Sequence, residues 1–418
     1  MESYRFLLDL AIILLCTKLL GLATKRVQMP QVVGALLAGL ILGPSMLGIL
    51  SKTEFITSIA ELGVIVLMFS AGLETDIKEL KKTGKASFII ALLGVVFPII
   101  GGFLVSYFFN KPGMIESDAG CSIFLQNVFV GVILTATSVS ITVETLKEMG
   151  KLKTRSGNAI LGAAIIDDIL GIVALTIVTR LADPTVNVAV VLLKIVAFFA
   201  FSLIVGYIFY KVYKKWTASA ERGLHRHVII AFVFCLLMAY CAEQFFGVAD
   251  ITGAYIACLI ISNTERSAFV QSKFDTLSYL LLSPVFFASI GLQVQIPHMT
   301  PMIIAFTLIL VIVAVITKII GCGLGAKLCG YMPYQYRRIG VGMISRGEVA
   351  LIVASKGAAL GMLGSAFMGP VVIVVVITTI ITPILLKIVF KKGPEHYVTK
   401  EESVSDYHEQ VQDMRKNV

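Results

Sequence analysis

Apolar runs long enough to cross a lipid bilayer recur from one end of the 418-residue chain to the other. A transmembrane helix needs about 20 such residues. Charged residues make up only 15% of the sequence and hydrophobic residues 57%, whereas a soluble domain carries roughly 25% charged residues. There is too little polar surface to cover a water-soluble globule of this size. The runs are continuous rather than alternating, so helices are expected instead of the strands of a closed barrel.

Thirteen spans are expected, at about 6–24, 31–49, 56–75, 86–109, 125–146, 158–180, 187–211, 227–245, 250–263, 274–294, 300–326, 339–361 and 366–390. Lys25-Arg26 flanks the first run, with no small-residue cleavage site behind it, so that run is expected to be a retained span rather than a signal peptide. Basic residues then sort by side. Lys81, Lys82, Lys147, Lys151, Lys214, Lys215, Lys327 and Arg337 follow odd-numbered spans, while the other side carries little beyond Lys52, Lys111 and Arg180. The positive-inside rule puts the amino terminus outside and the carboxyl terminus in the cytoplasm. A net charge of +9 is thereby accounted for by loops facing the cytoplasm, and no nucleic-acid partner is expected. Cys16, Cys235, Cys241, Cys258 and Cys322 lie in apolar runs without metal-ligand spacing. They read as small packing residues, and no cofactor is expected. Residues 391–418 are polar and of mixed charge, as in a short solvated tail.

An internal repeat is visible. Residues 31–44 (QVVGALLAGLILGP) and 250–263 (DITGAYIACLIISN) share Gly34/Gly253, Ala35/Ala254, Ala38/Ala257, Leu40/Leu259 and Ile41/Ile260. At the same offset Ser70, Gly72 and Leu73 meet Ser289, Gly291 and Leu292, and later GNAILG (157–162) resembles GSAFMG (364–369). Each pair of spans differs by an odd number, so the halves enter the membrane from opposite sides. The expected layout is one membrane domain over 1–390, with repeat one at about 6–180, a connector helix at about 187–211 and repeat two at about 227–390. Secondary transporters use inverted repeats of this kind, with the binding site near mid-depth.

Charges inside the spans sharpen that expectation, because each costs about 2.5–3.5 kcal/mol on insertion scales. Asp167 and Asp168 sit together in span six, and Lys318 lies midway along span eleven as the obvious counter-charge for one of them. Adjacent helical residues point about 100° apart, so one carboxylate can face an aqueous cavity and the other a neighbouring helix. Span five carries Thr135, Thr137, Ser138 and Ser140, and span twelve carries Arg346 and Glu348 around Gly347. Polar, glycine-broken stretches at equivalent places suggest discontinuous helices whose ends expose carbonyls and amides to an ion. The hydroxyl cluster serves helix–helix hydrogen bonding equally well. Arg346 and Glu348 read as compensation for the half-helix ends. A membrane aspartyl protease would need its two acids facing each other from different helices, and a channel would need a continuous pore; neither fits as well.

The segments PQVVGALLAGLILGPS (30–45), ELGVIVLMFSAGLETD (61–76), LTATSVSITVETLKEMG (134–150), AIIDDILGIV (164–173) and ISRGEVALIVA (344–354) resemble the monovalent cation:proton antiporter-2 family. Bacterial sodium/proton antiporters and Kef-type potassium-efflux transporters belong to that family. The resemblance implies an all-α protein of the bacterial plasma membrane with thirteen helices. These would form a core (spans four to six and eleven to thirteen) and a dimerisation domain in a homodimer. It implies that Asp168 is the carboxylate that takes Na+ or a proton, that Asp167 partners Lys318, and that Thr137 lies where two broken helices cross. K+ and Li+ are further candidate cargoes. Potassium-efflux members often carry a large nucleotide-binding domain, for which 391–418 is too short, and many lack the first aspartate. Both points turn the expectation toward sodium, exchanged electrogenically if Lys318 also carries a proton.

Overall fold

The computed structural model describes residues 4–26, 29–73, 77–111, 113–115, 117–182, 187–218, 224–264, 267–293 and 300–391, all of whose regular structure is helical. In chain order the α-helices are α1 (Arg5–Arg26), α2 (Gln31–Leu42), α3 (Glu54–Leu73), α4 (Ile77–Phe109), α5 (Ile123–Ile133), α6 (Val139–Glu148), α7 (Arg155–Ala182) and α8 (Val188–Ala218). They continue with α9 (Leu224–Cys241), α10 (Asp250–Ser262), α11 (Ser267–Leu277), α12 (Ser283–Leu292), α13 (Pro301–Leu328), α14 (Pro333–Gly342), α15 (Glu348–Ala359) and α16 (Ser365–Phe390). One π-helical turn extends α9 over Ala242–Phe246, and another joins α11 to α12 over Ser278–Leu282. Nine helical segments among the described residues are long and apolar enough to cross a membrane. The expected tail beyond Lys391 lies outside the described residues.

Local chemistry sets the ends. The Ser122 hydroxyl accepts the Leu125 N–H at 3.4 Å to open α5, and Thr300, followed by Pro301, accepts the Ile303 N–H at 3.3 Å to open α13. These satisfy amides that a helix start leaves without intrahelical partners. Gly150 ends the turn after α6 at φ 67°, a backbone conformation that favours glycine.

One expected span is shorter than expected, and two carry the interruptions that their polar stretches suggest. The run 31–49 is apolar throughout, yet α2 stops at Leu42, because Gly43 is extended and Pro44 follows. A helix rarely continues into the residue before proline. Runs 125–146 and 339–361 are each two helices, α5 with α6 and α14 with α15, separated by short stretches without helical hydrogen bonding. The polar residues at 135–138 and 344–347 supply the breaks.

Packing sorts the helices into two groups. Helices α4, α5, α7, α13, α14 and α16 pack on one another around the α4–α13 contact, with α6 on α7 and α16 and α15 on α5 and α16. Helices α1, α2, α3, α9, α10 and α12 form the second group with α11. Helix α8 touches α7 on one side and α10 on the other, and α6 also reaches α2 and α3 across the seam. Glycines allow the closest approaches. A β-carbon on Gly34 would lie 2.5 Å from the Gly21 amide of α1, and one on Gly253 would collide with the Met238 carbonyl of α9. Likewise Gly72 lies against Tyr255 and Cys258 of α10, and Gly291 against Leu36 and Leu40 of α2.

Candidate functional site: a buried charge pair beside two broken helices

Asp167 lies on α7 and Lys318 on α13, both fully enclosed by the bundle. The Lys318 Nζ donates to Asp167 Oδ1 and Oδ2, each at 3.0 Å. Charges this deep need a partner, since the desolvation of an isolated ion is not recovered from apolar neighbours. Gly94 of α4 closes the third side. A β-carbon there would stand 2.5 Å from Cys322 Sγ, 3.7 Å from Asp167 Oδ1 and 3.8 Å from Lys318 Nζ. The bare backbone of α4 thus leaves room for the Cys322 thiol beside the pair.

Asp168 points elsewhere. It is half-buried, and its Oδ2 is closed off from solvent with no hydrogen-bond partner among the described residues. A carboxylate oxygen without a donor keeps its acceptor capacity unused by the protein. The neighbouring Asp167 is already neutralised by Lys318, so the two carboxylates differ in what they can still bind.

The two helix breaks touch each other. The Ser138 N–H donates to the Ser345 carbonyl at 2.7 Å, and the Ser345 hydroxyl returns a bond to the Ser138 carbonyl at 2.8 Å. Thr142 donates to the Gly342 carbonyl at 2.7 Å. Arg346 is wholly buried, and its guanidinium is taken up by backbone. Nη2 donates to the Leu134 carbonyl at 2.8 Å and to the Ala314 carbonyl at 3.0 Å, and Nη1 donates to the Ile344 carbonyl at 3.0 Å. Leu134 caps the end of α5, where carbonyls lack intrahelical partners and the helix dipole is negative. A fixed cation there offsets both. Thr379 of α16 in turn donates to the Arg346 carbonyl.

Thr135 donates to the Val132 carbonyl at 2.7 Å and finishes α5. Thr137 is buried with a long 3.5 Å bond to the Thr135 carbonyl, and the Ser138 and Ser140 hydroxyls lie 3.2 Å apart. The Glu348 side chain and Glu74, which in the sequence reads as a charged helix end before it reads as part of an ion funnel, lie outside the described residues. Four participants carried no distinct signal in the sequence: Gly94, Thr142, Ser345 and Thr379. Ser345 and Thr142 stand inside polar stretches already conspicuous, but Gly94 is one glycine among many.

Apolar membrane helices, paired breaks and mid-bundle charges define a multi-pass membrane transporter rather than an enzyme. The chain belongs to the family described as "Sodium/hydrogen exchanger, transmembrane", whose pattern matches residues 11–392. Its relatives include the Na(+)/H(+)-K(+) antiporter GerN of Bacillus cereus, 40% identical over 389 residues that cover 93% of this chain and 97% of GerN. A Na(+)/H(+) antiporter of Enterococcus hirae is 36% identical over 394 residues, covering 92% and 97% of the two chains. Among solved structures, the sodium proton antiporter MjNhaP1 of Methanocaldococcus jannaschii superposes with a TM-score of 0.66 at 16% identity, over 94% of this chain and 99% of that one. That likeness concerns the fold alone.

Proposed function

We propose that the chain is a secondary antiporter of the bacterial plasma membrane that exchanges Na+ for protons by alternating access, with Asp168 as the shared carrier group. The observation that carries this reading is the enclosed, unpartnered Asp168 Oδ2 beside an Asp167 already held by Lys318. The named activities of the Bacillus and Enterococcus relatives support it.

The chemistry follows from charge. A hard monovalent cation prefers oxygen donors. The Asp168 carboxylate, the Thr137 and Ser138 hydroxyls and the carbonyls at the helix breaks are the donors this chain offers. Asp168 with a proton or a sodium ion is neutral; empty, it is an uncompensated anion that resists passage through the low-dielectric middle of the membrane. Only the occupied forms cross, so one passenger is exchanged for the other. Arg346, bound to backbone carbonyls, steadies the half-helix ends and does not compete for Asp168. When the cation enters, the Asp167–Lys318 pair opens and the Lys318 ammonium gives up its proton, which it regains when the cation leaves, so two protons cross for each Na+ and the exchange is electrogenic.

The architecture expected from the repeat fits the same reading. Four long-range contacts recur in pairs: α1–α2 with α9–α10, α2–α12 with α10–α3, α4–α5 with α13–α14, and α4–α7 with α13–α16. Gly34 and Gly253 meet equivalent neighbours, as do Gly72 and Gly291. This supports thirteen spans in two inverted halves, with the α4–α7 and α13–α16 group as the moving core and the other group as the scaffold of a homodimer. The distribution of lysine and arginine supports an external amino terminus and a cytoplasmic carboxyl terminus.

K+ is a second cargo to be weighed, because the name of the Bacillus relative includes it. The deciding experiment loads purified protein into liposomes with a pH-sensitive dye and adds Na+, Li+ or K+ in turn. Wild type is expected to move protons on addition of Na+, whereas Asp168→Asn, folded to the same unfolding temperature, moves none. Undiminished flux in Asp168→Asn would remove Asp168 from the mechanism.

A further inference from the structure

The basic end of α6 makes polar contacts that the exchange site does not use. Lys147, one residue before the end of the helix, donates to Ser70 Oγ of α3 at 2.7 Å and pairs with Asp275 of α11. Ser70 also donates to Asp275, so three helices share one polar knot. The next residue, Glu148, accepts the Gln31 N–H on both carboxylate oxygens, at 2.7 Å and 2.8 Å. Gln31 is the first residue of α2, whose free amide end attracts a carboxylate. Two consecutive residues of α6 thereby grip α2, α3 and α11, all in the other packing group. Upstream on α6, Val139, Ile141, Val143 and Leu146 belong to an apolar cluster shared with Val66, Leu67 and Phe69 of α3, a surface that can slip without leaving a charge unpaired.

Beside the knot lies a cavity of about 490 Å³ with walls from both groups, including Glu144, Lys147 and Glu148 from α6, Lys18 from α1 and Phe287 from α12. The knot is correspondingly wetted: the Lys147 and Asp275 side chains are 22% and 35% exposed, against 0% and 1% for Lys318 and Asp167. A partly exposed pair opens far more readily than an enclosed one.

We infer that Lys147, Asp275, Ser70 and Glu148 form a releasable latch between the two helix groups, and that Lys147 and Asp275 are positioning residues for the exchange. Helix α6 is a rigid rod of about 15 Å. Its latched end fixes where its other end presents Thr137 and Ser138. Relative movement of the groups must break the knot, so its strength sets how the population divides between states open to one side and the other. This inference rests on the alternating-access reading above.

The test uses the full chain in liposomes, with Lys147→Gln, Lys147→Asp, Asp275→Lys and the swapped pair Lys147→Asp/Asp275→Lys. Single variants are expected to shift the sodium concentration for half-maximal flux by roughly fivefold, the equilibrium change that follows loss of one partly exposed ion pair. The swapped pair is expected to return toward wild type, which ties the effect to the ion pair rather than to either residue alone. A second readout needs no transport. Glu144→Cys, labelled by a membrane-impermeant maleimide above the background of native cysteines, is expected to react several-fold faster when combined with Lys147→Gln. Single variants with wild-type half-saturation and unchanged labelling would overturn the latch, and so would a folded swapped pair no better than its parents. Absence of flux in wild type with changed labelling would overturn the antiporter reading and leave the latch standing.

Discussion

Lys318 and Asp167 show how an ion pair is held in a place without water. The ammonium faces both carboxylate oxygens at 3.0 Å, and neither side chain meets solvent. Such a pair is poor evidence of net stabilisation, but losing one partner strands the other charge. Lys318→Gln is therefore expected to lower stability by about 3–5 kcal/mol, seen as a depressed unfolding temperature in detergent, and Lys318→Gln/Asp167→Asn to recover most of it. A double variant no more stable than the single would mean that the charges are compensated by other groups. These two residues were conspicuous in the sequence because a charge within a long apolar run has few explanations. Gly94 was not, although it lets α4 close against Cys322 beside them. A missing side chain announces nothing until the neighbouring helix is in place.

At the scale of the element, hydropathy located the helices well and their interruptions poorly. A window of apolar residues passes through a break such as 134–138 without registering it, since unwound backbone and helix can have the same composition. The polar residues marked the right places, and only the family resemblance implied that the breaks cross; the bonds of Ser345 and Thr142 that join them follow from no period. Helix ends also carry the clearest pH dependence. Asp118 lies in the segment before α5 and accepts the Ser365 N–H at 2.7 Å where α16 begins. Hydrogen bonds from the Ser365 side chain and backbone hold its carboxyl below the ordinary 3.8. A lowered folded value means that stabilisation is complete above the unfolded pKa and is lost as pH falls through the folded one. Asp118→Asn is thus expected to lower the unfolding temperature modestly at pH 7, with the gap to wild type closing in strong acid, below the ordinary carboxylate range. An equal gap at both extremes would show that the contribution does not come from the charge.

For the whole molecule, the all-helical class could be read from the sequence, while thirteen expected spans stand against nine long apolar helices among the described residues. A division into two groups was implied by the family resemblance alone, because which helices touch depends on the close approaches that glycines permit. The paired positions Gly34 and Gly253 test this. Replacing either with leucine forces a side chain into neighbouring backbone, and overpacking of this kind costs about 1–3 kcal/mol. The two substitutions are expected to depress the unfolding temperature by similar amounts. Gly171→Ala, where a β-carbon meets nothing within 4 Å, is expected to be neutral or slightly stabilising, since glycine is the weaker helix former. Very unequal effects at Gly34 and Gly253 would argue against equivalent environments in the two halves.

The seam between α4 and α13 has a mechanical corollary. A β-carbon on Gly321 would come within 2.6 Å of the Leu93 carbonyl, and one on Gly325 within 2.8 Å of Ile90 Cα. Gly94 and Gly101 bring α4 equally near to Cys322 and to Thr317 and Val313. Each rod is keyed into the other like a spline in its slot. Twisting either about its own axis would drive a side chain into the opposing main chain, so torsion between them is blocked. Under the alternating-access reading proposed above, the two keyed rods would travel together as one unit.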